Sequence, residues 1–420
     1  MITHLCFSDI LGGANLSAWR LHHALVDGGF ESRMLVRIKQ GDDPRVRAFD
    51  TGARRPERTC RAWRRWQIRR SASRFRLNPD HPSASLTDPR SEWRYSLLRQ
   101  LPKHGPLHLH WVNRFIDWTT FFRAMGRSGR PLIWTLRDMT PVTGGCSYDF
   151  GCGRFADKCG RCPQLANGYS ADASNKFLRI KERALQNLPE QQLTIITLNR
   201  WMAGMVSRSP MFSRFRSEVI PNGVDCFGVE KKTMYVDSPE ETSLRLIAAA
   251  VDTTDRRKNL QLLLDAIATL PDHLRLKVHL TLVGQGEPPA DPPCEIAPTG
   301  YVADPQSLAQ RYAAADLYVH PALEDNQPNT VLEAMAAGTP ALVCDTGGVA
   351  EMIPTDHNWP MVVPRNDVES MTRALAWWID NRHQAAAAGQ HCRQHVIDNF
   401  SRRLQVERHV KLYESVDGGR

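Results

Sequence analysis

No apolar run in this 420-residue chain approaches the ~20 residues that a helical membrane span needs. The first residues, MITHLCFSDILGG, lack the basic start and small-residue cleavage site of a signal peptide and read as a first strand. Internal repeats are absent, and the basic segment described below is the only compositionally biased stretch. The ten cysteines would make a disulfide scaffold only in a small secreted domain, and this chain is neither short nor evidently secreted. A soluble cytoplasmic protein is expected. Its length exceeds one ordinary core, so two domains are the natural expectation, and the 42% of hydrophobic residues is enough to pack them.

Acidic residues are scarce in one place. Between residues 54 and 76 ten arginines face a single glutamate, a local sum of +9. Removing these from the 54 basic and 45 acidic residues leaves 44 of each, so the entire formal net charge of +9 sits in RRPERTCRAWRRWQIRRSASRFR. Trp63, Trp66, Ile68 and Phe75 interleave with the arginines, as in a helix lying on an anionic membrane surface. A solvated basic face and a nucleic-acid patch are the other readings, and no nucleic acid is expected as a partner.

What is present is a regular alternation of strand and helix. Ile2 to Phe7 reads as a strand, Gly12 and Gly13 as a turn, and Ala14, Ala18, Leu21 and Leu25 as one helix face ending at Gly28 and Gly29. Further strands are expected at 33–36, 107–111, 132–136 and 193–198. The pattern restarts after Pro221-Asn222-Gly223, with strands at 244–251, 276–283, 317–320, 341–344 and 361–363. Such alternation implies an α/β protein with parallel sheets covered on both faces. Residues 1–219 and 220–395 are read as its two domains, and 396–420 as a terminal helix returning to the first. Residues 228–243 are polar and are read as a mobile connection or an insertion.

The most informative stretch is HPALEDNQPNTVLEAMAAGTPALVCDTGG, from His320 to Gly348. It reads as strand end, acidic loop, helix, tight turn and second strand. Asn329 or Thr330 can cap the helix, and Gly338 with Pro340 stops it. Asp325 and Asn326 then lie beside a helix N-terminus suited to a phosphate. Glu333, one turn into the helix, can accept bonds from sugar or ribose hydroxyls.

These residues resemble the donor-binding signature of the retaining family-4 glycosyltransferases, in which two acids with seven residues between them precede a helix, a Gly-x-Pro turn and a strand ending in Gly-Gly. Asp325 and Glu333 have that spacing, with aspartate where the family usually has glutamate. The resemblance implies a GT-B fold, two Rossmann-like domains facing across a cleft. It implies a UDP- or GDP-linked sugar as donor, a glycan or lipid-linked acceptor, and retention by same-face attack assisted by the departing phosphate. Lys258 falls where the family has its diphosphate-binding lysine. The partner arginine would be five residues earlier, where Thr253 stands, so Arg256 or Arg257 substitutes, with Arg257 preferred. By the same resemblance Asp325 holds the donor sugar and Glu333 the ribose, with Asn326, Asn329 and Thr330 beside them and Glu351 closing the pocket. Gly12 and Gly13 match the first-domain glycine turn, and His110 the histidine near the reacting sugar. No Asp-x-Asp motif occurs, in keeping with catalysis that needs no cofactor.

Cys146, Cys152, Cys159 and Cys162 fall within 17 residues and end in Cys-x-x-Cys, the number and spacing of a structural zinc site. This segment (144–165) and the preceding WTLRDMTPVTGGC resemble a subgroup that builds capsular, colanic-acid-type and other surface polysaccharides, in which Arg137 is usually histidine. A peripheral position on the inner face of the cell membrane is expected. The alternatives are a nucleic-acid-binding protein built on the basic segment and a zinc module, or a nucleotide-sugar epimerase of the same fold.

Overall fold

The computed structural model describes residues 1–52, 55–226 and 243–417. The polar stretch 228–243 lies outside them apart from Ser243, as does Arg54 of the basic segment. The described chain divides into two compact units, Met1–Pro221 with Gln405–Arg420, and Asn222–Leu404.

The first unit is built on a parallel sheet of seven strands: β1 (Ile2–Ser8), β2 (Ser32–Ile38), β3 (Val46–Ala48), β4 (Leu107–Leu109), β5 (Leu132–Thr135), β6 (Leu193–Thr197) and β7 (Arg216–Val219). Their spatial order is β3-β2-β1-β4-β5-β6-β7. The inner strands are buried, and β5 and β6 read as nearly continuous apolar runs, whereas β1 and β4 also bury His4 and His108. The two edges, β3 and β7, lack such runs and were not legible in the sequence. The order reverses between β1 and β4, so the carboxyl ends of those strands open a crevice where ligands settle in sheets of this kind. Gly12 (φ 78°) caps the helix Gly13–Asp27 there, and that helix ends at Gly28.

The second unit holds six parallel strands: β8 (Leu244–Asp252), β9 (Val278–Gln285), β10 (Glu295–Gly300), β11 (Leu317–His320), β12 (Ala341–Asp345) and β13 (Val362–Pro364). Their order is β10-β9-β8-β11-β12-β13, with the reversal between β8 and β11. β9 begins two residues later than the hydrophobic run at Leu276, because Leu276 closes the short helix Asp272–Arg275 and is 78% exposed. β10 is an exposed edge containing Pro298, which hides it from a search for apolar runs.

The helix Ala385–Phe400 belongs wholly to this unit, where Val396 and Phe400 join its core. The helix Arg402–Asp417 follows after Ser401. The return to the first unit thus starts at Gln405 and not at residue 396. From there Leu412 packs with Ile2, Leu21, Leu25 and Ile196 of the first unit. Among the described residues no helix is long and apolar enough to cross a membrane.

Candidate active site

The second unit brings its charged candidates together at the switch between β8 and β11. The loop after β8 carries Asp255 to Asn259, and the loop after β11 carries Glu324 to Gln327. Lys258 Nζ donates to Asp325 Oδ2 at 2.6 Å, and Arg257 Nη1 reaches the same oxygen at 3.2 Å. Arg257 also donates to the Glu324 carbonyl at 3.0 Å and pairs with Asp255 at 3.2 Å. His320 Nε2 lies 3.5 Å from Asp325 Oδ2. Burial opposes ionisation of Asp325, but Lys258 and Arg257 outweigh it and hold the carboxyl well below the usual range. His320 is pushed down by burial, so the cationic side chains at these strand ends are Lys258 and Arg257, set against Asp325 and Asp255.

The helix Asn329–Ala336 starts directly after this loop. Its N-cap is Pro328, with no side-chain capping bond, contrary to the capping expected of Asn329 or Thr330. Those side chains are engaged elsewhere: Asn222 donates to Asn329 Oδ1 at 3.3 Å, and the Tyr318 hydroxyl donates to Thr330 Oγ1 at 2.8 Å. The helix end therefore lacks a side-chain cap beside the two cations, an arrangement that favours an anion. Gly338 (φ 82°) follows the last turn, as expected.

The glycine pair after β12 has a steric reason. A Cβ on Gly347 (φ 55°) would stand 1.9 Å from the Asp325 carbonyl, to which Gly348 N–H donates at 3.2 Å. Only glycine lets this turn press against the acidic loop and fix Asp325. Gly286 (φ 117°) is a second such contact, since its Cβ would meet Thr253 Oγ1 at 2.4 Å. Thr253, in the place expected of an arginine, instead anchors its loop by donating to the Gln285 carbonyl at 2.8 Å. Arg256 is exposed while Arg257 joins Asp325, so the two arginines have separate places. Asn326 is buried, Glu333 half-buried on the helix, and Glu351 exposed on the single turn Ala350–Met352.

In the first unit Gly12 and Gly13 lie at the end of β1, and His110 lies just past β4. His110 is buried, and both of its ring nitrogens are taken. Arg137 Nη2 donates to Nδ1 at 3.2 Å, which leaves the proton on Nε2, facing His4 Nδ1 at 2.8 Å. His108, on the same side of the strand, is held by Tyr413 at 2.8 Å and Thr135 at 2.7 Å. Candidate ligand nitrogens of His4, His108 and His110 lie within 4.8 Å of one another. The Arg137 guanidinium against them makes this a hydrogen-bonded chain and not a cation site. In this arrangement both ring nitrogens of His110 are engaged within the protein. His4, inside β1, and His320, at the end of β11, were missed in the sequence, where no local pattern marked them.

Cys146, Cys152, Cys159 and Cys162 line one cavity of about 20 Å³. Cys159 (φ 50°), Gly160 (φ 98°) and Arg161 (φ 45°) form a turn in this segment. No three of their sulfurs lie within 4.8 Å of one another. Burial pushes the Cys159 thiol up to about 12.

The basic segment forms the helix Arg55–Ala72. Its inner face is bound to the first unit: Arg64 pairs with Asp117 at 2.7 Å, Arg65 with Glu92, and Arg61 stacks 4.1 Å over Trp93. These three arginines are structural, so the segment holds less free charge than its composition implies. Trp63 and Trp66 stay outward at 58% and 52% exposure, flanked by exposed Arg58, Arg69 and Arg70.

Comparison with known proteins agrees with this geometry. Residues 245–381 match the family described as glycosyl transferases group 1. Over 300 residues the chain is 24% identical to MMP alpha-(1->4)-mannosyltransferase of Mycolicibacterium hassiacum, covering 69% of this chain and 66% of that protein. Over 256 residues it is 23% identical to the protein named colanic acid biosynthesis glycosyl transferase WcaC in Escherichia coli, covering 59% of this chain and 60% of the relative. The chain thus matches a little under two thirds of the length of these relatives. Among solved GT-B glycosyltransferases, HepE of Anabaena in complex with UDP-glucose superposes with a TM-score of 0.61 at 13% identity, over 99% of each chain. The chain therefore has the GT-B fold, and its second unit carries a domain of the group 1 glycosyl transferases.

Proposed function

We propose that this protein is a retaining glycosyltransferase that moves a sugar from a nucleotide-linked donor to a glycan or lipid-linked acceptor in surface polysaccharide synthesis. The observation that carries the reading is the convergence of Lys258 and Arg257 on Asp325 beside the start of the helix Asn329–Ala336. Cations and a helix end at one point suit the charge that develops on a departing diphosphate, without a divalent ion. In this reading Lys258 and Arg257 take the diphosphate, Glu333 the ribose and Asp325 the donor sugar. Glu351 closes the pocket, and the departing phosphate assists same-face attack. UDP is the preferred base carrier, since HepE of Anabaena binds UDP-glucose, with GDP the other candidate. Calorimetry with UDP, GDP and an RNA oligomer tests this. Nucleotide binding that disappears in Lys258→Ala is the expected outcome, whereas binding of RNA alone would overturn it.

The four cysteines are proposed to hold one structural zinc ion. Their shared cavity supports this. Zinc–sulfur bonds of ~2.3 Å place sulfurs about 3.8 Å apart, so binding has to draw the thiols together. The buried Lys181, which donates to the Thr143 carbonyl at 3.0 Å, supplies a positive charge beside the thiolates. Protein purified without added zinc is expected to contain one zinc per chain by metal analysis. A stoichiometry near zero with four titratable thiols would sink the idea.

The outer face of the helix Arg55–Ala72 is proposed to rest on an anionic membrane. Each arginine near such a surface contributes about 1 kcal/mol. Arg58, Arg69 and Arg70 changed to Glu should abolish flotation with anionic liposomes and leave thermal stability unchanged. Flotation equal to wild type would return this face to ordinary solvent.

A further inference from the structure

A second concentration of positive charge lies in the first unit, apart from the strand ends. A cavity of about 700 Å³ opens where the helix Arg55–Ala72 ends, bounded on its other side by the helix Ala173–Leu185. Arg74, Arg76, Arg90, Lys176, Arg179 and Arg183 line it. Asp172 is its one carboxylate, and that group is already used. It accepts from Ser174 N–H at 2.9 Å, from the Ser174 hydroxyl at 2.6 Å and from Cys162 N–H at 2.9 Å. Arg90 is neutralised by Asp88, at 2.8 Å and 2.6 Å.

Among the described residues, Arg74, Arg76, Arg179 and Arg183 form no ion pair with any carboxylate. Glu182 interacts through space with Arg179 and Arg183, and its carboxyl is pushed up by burial. Lys176 lies over the Tyr169 ring at 5.9 Å. Phe75 and Phe177 meet edge to face at 6.1 Å and give the cavity an apolar floor. Arg74, Arg76, Arg179 and Arg183 are exposed, so solvent screens their mutual repulsion, and gathered around one hollow they present a focused positive field to an anion. Arginine forks match phosphate oxygens, and several of them match more than one phosphate group.

We propose that this cavity binds the diphosphate of the acceptor substrate. The proposal rests on the glycosyltransferase reading above. The diphosphate has two possible carriers, a membrane lipid or a soluble phosphorylated sugar.

The probe is inorganic pyrophosphate, titrated into the full chain carrying Lys258→Ala, which disables the donor site. Binding is expected there, and adding Arg76→Ser, Arg179→Ser and Arg183→Ser should weaken it at least about tenfold, since each charged hydrogen bond is worth roughly that factor. The three serine changes alone should leave UDP affinity and the thermal midpoint of the chain unchanged. Pyrophosphate binding that survives the serine changes, or that vanishes with Lys258→Ala alone, overturns the proposal. Failure of UDP to bind the wild type would instead overturn the donor-site reading, so the two failures are distinct. Phosphatidylcholine vesicles with and without a long-chain isoprenyl diphosphate separate the carriers. Flotation only with the diphosphate lipid, lost in the serine variant, identifies a lipid headgroup. Pyrophosphate binding without such flotation identifies a soluble acceptor.

Discussion

Lys258→Ala is expected to lower kcat/KM for sugar transfer by roughly 10²–10³-fold, the usual cost of removing one preorganised donor from a developing negative charge. Lys258 reaches Asp325 at 2.6 Å. The same change removes one partner of a buried carboxylate, which typically destabilises by about 3–5 kcal/mol, and by less here because Arg257 remains at 3.2 Å. Activity and stability can be separated. The double variant Lys258→Ala with Asp325→Asn should recover much of the thermal stability, because the uncompensated charge is gone, yet stay inactive. Kinetics and melting curves on the three proteins form the check. Recovery of activity in the double variant would mean that Lys258 acts only to neutralise Asp325.

Acid is expected to unfold the first unit well above the pH at which the Asp325 cluster yields. Burial holds His4, His108 and His110 well below their usual range and His409 at about 4, and the nearby Arg137 opposes their protonation further. A histidine whose folded pKa is depressed leaves the unfolded chain to bind the proton first. Its stabilising contribution is therefore complete above about pH 6.5 and lost as pH falls toward the folded value. Each such group costs about 1.4 kcal/mol per pH unit, so four acting together cost roughly 5 kcal/mol per unit. That is comparable with the whole stability of a typical domain, about 5–15 kcal/mol. Asp325 behaves in a different window, since its depressed pKa keeps its contribution intact until pH falls below about 4. Thermal melts between pH 7.5 and 4.5, followed by tryptophan fluorescence, should show a steep fall beginning near pH 6.5. A midpoint unchanged down to pH 5 would count against the buried, neutral chain of histidines.

The donor-side residues were legible because their function constrains a contiguous stretch. Asp325, Glu333, Gly338 and the pair Gly347-Gly348 are spaced by one helix and one strand, so periodicity and turn residues place them. Lys258 and Arg257 come from another loop, 67 residues or more from Asp325 in sequence, and no local pattern reports that they share its carboxylate. The edge strands β3, β7 and β10 stayed hidden because one side of an edge needs no apolar run. The helix Arg55–Ala72 shows the opposite error. Composition counted all its arginines as free, whereas Arg61, Arg64 and Arg65 are held by Trp93, Asp117 and Glu92.

By itself the sequence determined the α/β class, the two successive sheets, the acidic loop with its helix and the gathering of four cysteines. These follow from side-chain periodicity and from glycine at positions with positive φ, which are properties of neighbours along the chain. Only the tertiary structure decided that Arg257 meets Asp325, that His110 is locked between Arg137 and His4, and that Arg76 shares a cavity with Arg179 and Arg183. Each of these depends on where distant loops and helices are brought together by a buried sheet. Charge and hydrogen bonding act through space at a few ångströms, and the order of residues records no such distance.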